Sequence, residues 1–197
     1  MEKTKKYINV YTEANPNPNS LKFVINYMLT PEGISFDYPT LEAAKEASPL
    51  AVALFENFKT VARVFIAANF ITVTKQESVE WEEVARPIKL FIQGYLEEDQ
   101  PVFSQEHISK HNVIVETDSE VVKQIKGILD EYIRPAVETD GGAISFHSFD
   151  EDTGKVKVLL QGSCSGCPSS TVTLKAGIEN LLKRMVPVVT EVEAENM

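Results

Sequence analysis

The sequence predicts an α+β protein that consists of two small α/β domains. The chain has 197 residues, which is enough for one large domain or two small ones. Runs of β-branched and aromatic residues alternate with segments whose apolar residues recur at helical spacing. Residues 98–118 lose this periodicity and contain charged residues and a proline. We therefore predict domains at residues 1–97 and 119–197, joined by a linker at 98–118.

The first domain is predicted to contain five strands and three helices. Its strand-like segments, rich in β-branched and aromatic residues, are 7–11, 21–26, 33–38, 61–66 and 70–74. Its helix-like segments are 41–47, 49–58 and 81–95. The prolines at 16 and 18 favour a turn between the first two strands, because proline fixes its own φ and restricts the residue before it. Ser48-Pro49 separates the first two helices, and Pro87 is expected to kink or divide the third.

The second domain is predicted to have the element order α-β-β-α-β. Its helix-like segments are 122–133 and 168–185, and its strand-like segments are 143–148, 155–160 and 188–192. Asp140-Gly141-Gly142 is interpreted as the turn that follows the first helix. Pro168 suits the first turn of the second helix. The loop at 161–167 therefore lies between a strand and a helix.

Composition and charge exclude several classes of protein. The formal net charge of −10 repels the phosphate backbone of nucleic acids, so no nucleic-acid partner is expected. The uninterrupted apolar run at 50–55 is far shorter than the roughly 20 residues of a membrane-spanning helix. Charged residues at 1–6 lead directly into a strand pattern without a secretory signal. We expect a cytoplasmic protein, although an organelle protein without its leader would look the same.

The two cysteines are the most informative residues of the chain. Cys164 and Cys167 are the only cysteines, and they are three positions apart. A structural disulfide is rare in a reducing compartment, so this pair indicates redox chemistry or metal ligation. Gly162 and Gly166 allow main-chain N–H groups to approach the sulfurs. The nearby helix start favours the thiolate form, which is the form that binds metals.

Three kinds of site are compatible with this spacing. A thioredoxin-like dithiol lies early in an α/β domain, whereas this motif lies near the end of the chain. A zinc ion would need two further ligands, and no cysteine remains. An iron–sulfur cluster typically takes four thiolates, so two copies of the chain would have to share one cluster. The context favours the iron–sulfur site and leaves the other two open.

Several motifs resemble those of a known family. The C-terminal motif is Gly162-Ser163-Cys164-Ser165-Gly166-Cys167-Pro168-Ser169-Ser170, with Arg134-Pro135 and Asp140-Gly141-Gly142 upstream of it. These residues resemble the C-terminal NifU (Nfu) domain. The segments 15–23, 48–51 and 69–74 resemble the N-terminal domain of two-domain Nfu proteins. The resemblance covers nearly the whole chain outside the linker and the last few residues.

The resemblance implies an iron–sulfur cluster scaffold or carrier that turns over no substrate. Family members hold a 4Fe–4S cluster between two subunits through the CxxC motif of each, and a 2Fe–2S cluster is the alternative. Carried over by position, Cys164 and Cys167 are the cluster ligands. The implied partners are upstream assembly proteins as donors, apo iron–sulfur proteins as recipients and a second copy of the chain. The runner-up function is a thiol–disulfide oxidoreductase that uses the same two thiols.

Other parts of the chain add no strong candidates. The cysteine-bearing upstream domains of nitrogen-fixation NifU have no counterpart in this sequence. The N-terminal domain contains no candidate ligand and is interpreted as a recognition or regulatory module. His107, His111 and His147 are weak candidates for extra ligands, and solvated polar positions explain the first two better.

Overall fold

The computed structural model describes residues 7–31, 33–104, 118–165 and 168–196, and the chain forms two compact units. Each unit combines one β-sheet with α-helices, so the predicted α+β class is confirmed. No helix among the residues described is long and apolar enough to cross a membrane.

The first unit is built on a five-stranded antiparallel sheet with the strand order β1-β2-β5-β4-β3. Its strands are β1 Val10–Ala14, β2 Ser20–Ile25, β3 Ser35–Tyr38, β4 Val61–Ala67 and β5 Phe70–Lys75. All five correspond to predicted segments, but β1 begins three residues late. Before Val10, the Asn26 side chain takes the place of main-chain strand pairing: Asn9 N donates to Asn26 Oδ1, and Asn26 Nδ2 donates to the Tyr7 carbonyl. The periodicity of apolar residues does not predict these side-chain hydrogen bonds.

Three helices supply the rest of this unit: α1 Leu41–Ala44, α2 Pro49–Asn57 and α3 Trp81–Glu97. The Ser48 side chain accepts a hydrogen bond from Ala51 N at 3.1 Å, which caps α2 immediately before its proline. The expectation that Pro87 would divide the third helix is wrong, because α3 runs through this residue. The buried stripe of Ile88, Ile92 and Leu96 packs into the core of this unit and offsets the cost of an interior proline.

The first residues of the predicted linker pack into the first unit. Phe103 is buried, and its ring lies 4.6 Å from the ring of Phe36 between centroids. Ser104 N donates to the Ala47 carbonyl at 2.9 Å, and Ser48 Oγ donates to the Val102 carbonyl at 2.6 Å. Phe103 is a single buried aromatic residue and is not part of a periodic apolar pattern, so the sequence pattern does not predict that it packs into the core. The remainder of the predicted linker, from 105 to 117, lies outside the described residues.

The second unit has the predicted order α-β-β-α-β, with a longer first helical segment than expected. Its elements are α4 Glu120–Ile128, a π-helical turn Leu129–Ile133, α5 Arg134–Thr139, β6 Gly142–Asp150, β7 Lys155–Gly162, α6 Pro168–Met185 and β8 Glu191–Asn196. The helical path was expected to finish near Arg134-Pro135. A π turn immediately precedes this pair, and the Arg134 N–H donates to the Leu129 carbonyl. The changed hydrogen-bond pattern accommodates Pro135, so the chain stays helical to Thr139.

The second sheet has the order β6-β7-β8, in which β6 is antiparallel and β8 is parallel to β7. Val156, Val158 and Leu160 alternate along β7 and are fully buried. They belong to one apolar core with Ile178 and Leu182 of α6. This core fixes the carboxyl end of β7 and the body of α6, and the cysteine loop connects these two elements.

Candidate functional site

The candidate site lies in the loop between β7 and α6, as the sequence predicts. The strand ends at Gly162 and the helix begins at Pro168. Cys164 lies in the described part of this loop. Cys167 lies outside the described residues, so its role as a ligand stays a prediction.

Two glycine-containing segments lie side by side at this end of the sheet. Gly142 at the start of β6 is the ladder partner of Gly162 at the end of β7. Gly141 and Gly162 have φ values of 76° and 63°, in the left-handed region that favours glycine. The strand pairing therefore places the Asp140-Gly141-Gly142 turn directly beside the cysteine loop.

Ser163 connects the loop to that turn. Its side chain is buried, and its hydroxyl donates a hydrogen bond to the Asp140 carbonyl. Its main-chain N–H donates to the Gly141 carbonyl at 3.3 Å. Within the loop, Ser165 N donates to the Gly162 carbonyl at 3.1 Å. These bonds fix the main chain on both sides of Cys164.

The side chain of Cys164 points into the protein rather than into solvent. Cys164 is 3% exposed and belongs to the apolar core of the second unit. Its Sγ lies 3.9 Å from Ser163 Oγ. Cys164 borders an apolar pocket with Ile133, Val137 and Leu174 among its lining residues. An apolar surround limits the access of solvent to this sulfur, and the hydrophobic shell around a metal site controls solvent access in the same way.

No cluster of metal-binding side chains is found in the part of the chain that the structure describes. No three His, Cys, Asp or Glu side chains come together there as a metal site would require. His147 is exposed, at the β-bulge between Phe146 and Ser148 of β6. His107 and His111 lie outside the described residues.

The sequence pattern does not indicate that Gly142 or Ser163 belongs to the site. Asp140-Gly141-Gly142 was expected to act as a turn, and its closeness to Cys164 depends on the β6–β7 pairing. The short loop between the predicted strands 143–148 and 155–160 contains the necessary signal, because it favours a hairpin, and a hairpin pairs the beginning of its first strand with the end of its second. Counting outwards from that loop brings Gly142 to the neighbourhood of Gly162.

Comparison with known proteins finds two family models that match different parts of the chain. The family model described as "NifU-like domain" matches residues 125–193, and the model "Scaffold protein Nfu/NifU N terminal" matches residues 10–99. The chain is 44% identical over 188 residues to NifU-like protein 5, mitochondrial, of Arabidopsis thaliana. That alignment covers 94% of this chain and 67% of the plant protein.

The chain belongs to the NifU-like family.

A second NifU-like relative is the NFU1 iron-sulfur cluster scaffold homolog, mitochondrial, of Drosophila willistoni. It is 40% identical over 189 residues, which are 96% of this chain and 64% of the fly protein. The chain thus spans about two thirds of the length of these relatives. Among solved structures, a NifU-like protein from Saccharomyces cerevisiae aligns with a TM-score of 0.46 and 24% identity, over 53% of this chain and 92% of that one.

Proposed function

We propose that this protein is an iron–sulfur cluster scaffold and carrier that holds a 4Fe–4S cluster between two copies of the chain. The observation behind the proposal is that the only two cysteines form the CxxC motif at the β7–α6 loop of its NifU-like domain. The printed name of the fly relative, an iron-sulfur cluster scaffold homolog, agrees with this function.

The shared cluster is inferred from the number of thiols in one chain. A 4Fe–4S cluster is typically held by four cysteine thiolates. One chain has only Cys164 and Cys167. Two copies that meet at their cysteine loops would complete the shell, and each copy would supply one half of it. A 2Fe–2S cluster would need the same four thiolates and is the alternative cargo.

The cluster is transferred to a recipient protein by ligand exchange. A recipient thiolate forms a bond to one cluster iron while the bond from Cys164 or Cys167 to that iron breaks. Each step exchanges one thiolate for another, so no electron is gained or lost and no oxidant is needed. The protein acts as a carrier in this scheme and not as a catalyst. Donors are upstream assembly proteins, and recipients are apo iron–sulfur proteins.

The remaining proposals concern the rest of the chain. We place the domains at 1–97 and 119–197 with a connecting segment at 98–118, the first residues of which pack against the first domain, and we assign recognition or regulation to that domain. A cytoplasmic location stays a prediction. The plant and fly relatives are named as mitochondrial proteins.

Anaerobic reconstitution with ferrous iron and sulfide tests whether the protein binds an iron–sulfur cluster. We expect a brown protein with broad absorbance near ~400 nm. Cys164→Ser and Cys167→Ser should each lose stable cluster binding, because each change removes two of the four thiolates of a dimer. Ser165→Ala is the matched control in the same loop and should keep the colour. A Cys164→Ser variant that still retained a full cluster would contradict the proposed ligands.

Incubation of the loaded protein with an apo-protein that has a vacant 4Fe–4S site tests transfer. We expect the recipient to gain its cluster spectrum while the donor loses its own. The competing function predicts a different result, in which a colourless monomer reduces the disulfides of insulin. That result would replace the scaffold function with thiol–disulfide oxidoreduction.

A further inference from the structure

The start of β6 approaches the sulfur of Cys164 very closely. A β-carbon placed on Gly142 would lie 2.7 Å from Cys164 Sγ and 2.7 Å from the Gln161 carbonyl oxygen. It would also lie 3.2 Å from Cys164 N. Real β-carbons essentially never approach another heavy atom to less than 3.0 Å. Only glycine therefore leaves room for the sulfur where it now lies.

Three other glycines do not share this constraint, whereas a β-carbon on Gly154 would lie 2.3 Å from the Val188 carbonyl oxygen, away from the cysteine loop. A β-carbon on Gly94, Gly127 or Gly177 would meet nothing within 4 Å. The atoms that crowd Gly142 belong to the end of β7 and the cysteine loop, and one of them is the sulfur of Cys164. Gly141, which precedes Gly142, has a left-handed backbone conformation, and the Ser163 hydroxyl donates to the Asp140 carbonyl. Both features hold this turn against the cysteine loop.

We propose that Gly142 is a positioning residue for Cys164. The bare α-carbon of Gly142 forms a seat for the sulfur, and we use the word seat for this contact only. The seat holds the sulfur of Cys164 in one orientation before the cluster is loaded and keeps it away from solvent, because Cys164 is 3% exposed there. This role deepens the proposed function and rests on it, whereas the seat itself is a property of the protein without cargo.

The reactivity of Cys164 in the protein without cluster tests the seat directly. In a Cys167→Ser background, Cys164 is the only thiol, and a maleimide reagent reports its accessibility. We expect slow labelling, because Cys164 is 3% exposed. Adding Gly142→Ala should displace the sulfur and raise the labelling rate about tenfold or more. Gly127→Ala is the matched control and should leave the rate unchanged. An unchanged rate with Gly142→Ala would overturn the proposal.

Hydrogen exchange separates the seat from general strain, because Gly142→Ala also crowds the Gln161 carbonyl. The variant should accelerate amide exchange in β7. Adding Cys164→Ala removes the sulfur contact but leaves the Gln161 contact, so it should slow that exchange in part, as expected for two directly coupled positions. The single Cys164→Ala variant provides the baseline. If exchange stays equally fast in the double variant, the sulfur is not the group that Gly142 accommodates, and the proposal is wrong.

A gentler variant covers the case in which Gly142→Ala does not fold. Ser163→Ala removes the hydroxyl bond to the Asp140 carbonyl and adds no atom. It should loosen the loop over the seat and raise the labelling rate of Cys164 about threefold or more. No change in the rate would count against the seat.

Cluster lifetime connects the seat to the proposed function. In the reconstituted full chain with both cysteines, Gly142→Ala should shorten the decay half-life of the ~400 nm absorbance in the presence of an iron chelator about fivefold. Equal lifetimes would overturn the positioning role. If the unmodified chain bound no cluster, the proposed function would fail, while labelling and exchange would still decide whether the seat exists.

Discussion

At the scale of single residues, the first unit contains a buried ion pair between Asp37 and Arg63. Arg63 Nη1 lies 3.2 Å from Asp37 Oδ2, with the Asp37 side chain fully buried and that of Arg63 14% exposed. Removing one member of such a pair leaves the other charge without its partner in a poorly solvated place. The pair therefore matters more through the cost of breaking it than through its net contribution.

We predict that Arg63→Met lowers the free energy of unfolding of the first unit by about 3 kcal/mol. Trp81 is the only tryptophan and lies in this unit, so its fluorescence during urea unfolding measures the change. Lys45→Met removes the exposed pair with Glu42 and serves as the control, with an expected change below about 1 kcal/mol. Equal effects of the two variants would contradict the assigned importance of burial.

Residue chemistry also decides how much of the site the sequence could reveal. Cys164 and Cys167 are candidates from the sequence alone, because thiols at this spacing in a reducing compartment indicate redox chemistry or metal ligation. The contact of Gly142 with Cys164 could not be predicted from the sequence, since the two residues are far apart in sequence and meet only through the β6–β7 register. A glycine that makes room for another atom has no side chain whose chemistry could indicate its role.

At the scale of elements, α3 contains a proline that its hydrogen bonding does not favour. Pro87 lies seven residues into α3 and is exposed. We predict that Pro87→Ala raises the free energy of unfolding by about 1–3 kcal/mol, because alanine restores a helical N–H and removes a steric conflict. Trp81 fluorescence in urea is again the measurement. Ala85→Gly in the same helix should act in the opposite direction by about 1 kcal/mol, and a destabilised Pro87→Ala protein would refute the argument.

Helix α6 and strand β8 are joined through one carboxylate. Glu179 Oε2 accepts a hydrogen bond from Val192 N at 3.1 Å, and Glu179 Oε1 accepts one from Lys183 Nζ at 2.6 Å. We predict that Glu179→Ala destabilises the second unit by about 1 kcal/mol, measured by hydrogen exchange of the β8 amides. Lys183→Met removes only the ion pair within α6, and its cost should be about 0.3–0.5 kcal/mol. If the two variants cost the same, the bond to Val192 contributes nothing.

The elements were also easier to predict than their ends. Apolar periodicity indicated α3, β7 and α6, because each presents one continuous face to a core. It did not indicate the late start of β1, where asparagine side chains replace main-chain pairing. It also missed the continuation of the helical path through Pro135, which depends on a single π turn. Both deviations arise from individual hydrogen bonds that a hydrophobic pattern does not contain.

At the scale of the whole molecule, acid should weaken the fold. Hydrogen bonds from Lys183 and Val192 N lower the pKa of Glu179 below its ordinary value of 4.5, and the Lys155 side chain lowers the pKa of Glu193. A carboxyl with a lower pKa in the folded state stabilises that state above the pKa of the unfolded chain. This contribution is lost as the pH falls through the folded pKa.

We therefore predict that the urea midpoint of the second unit falls as the pH is lowered below about 4.5. Circular dichroism at low protein concentration measures this midpoint. A Glu179→Gln, Glu193→Gln double variant should be less stable at neutral pH and should lose less stability on acidification. An identical pH dependence in the two proteins would show that other carboxyls are responsible.

The most direct test of the shared cluster is to count iron and sulfide per assembled particle. Protein loaded and kept without oxygen is analysed by native mass spectrometry together with iron and acid-labile sulfide assays. A shared 4Fe–4S cluster predicts about four iron atoms and about four sulfides in a particle of two chains, and this particle should dissociate into single chains when the cluster is removed. A single chain that retains a complete cluster, or a dimer that contains no iron after loading, would contradict it.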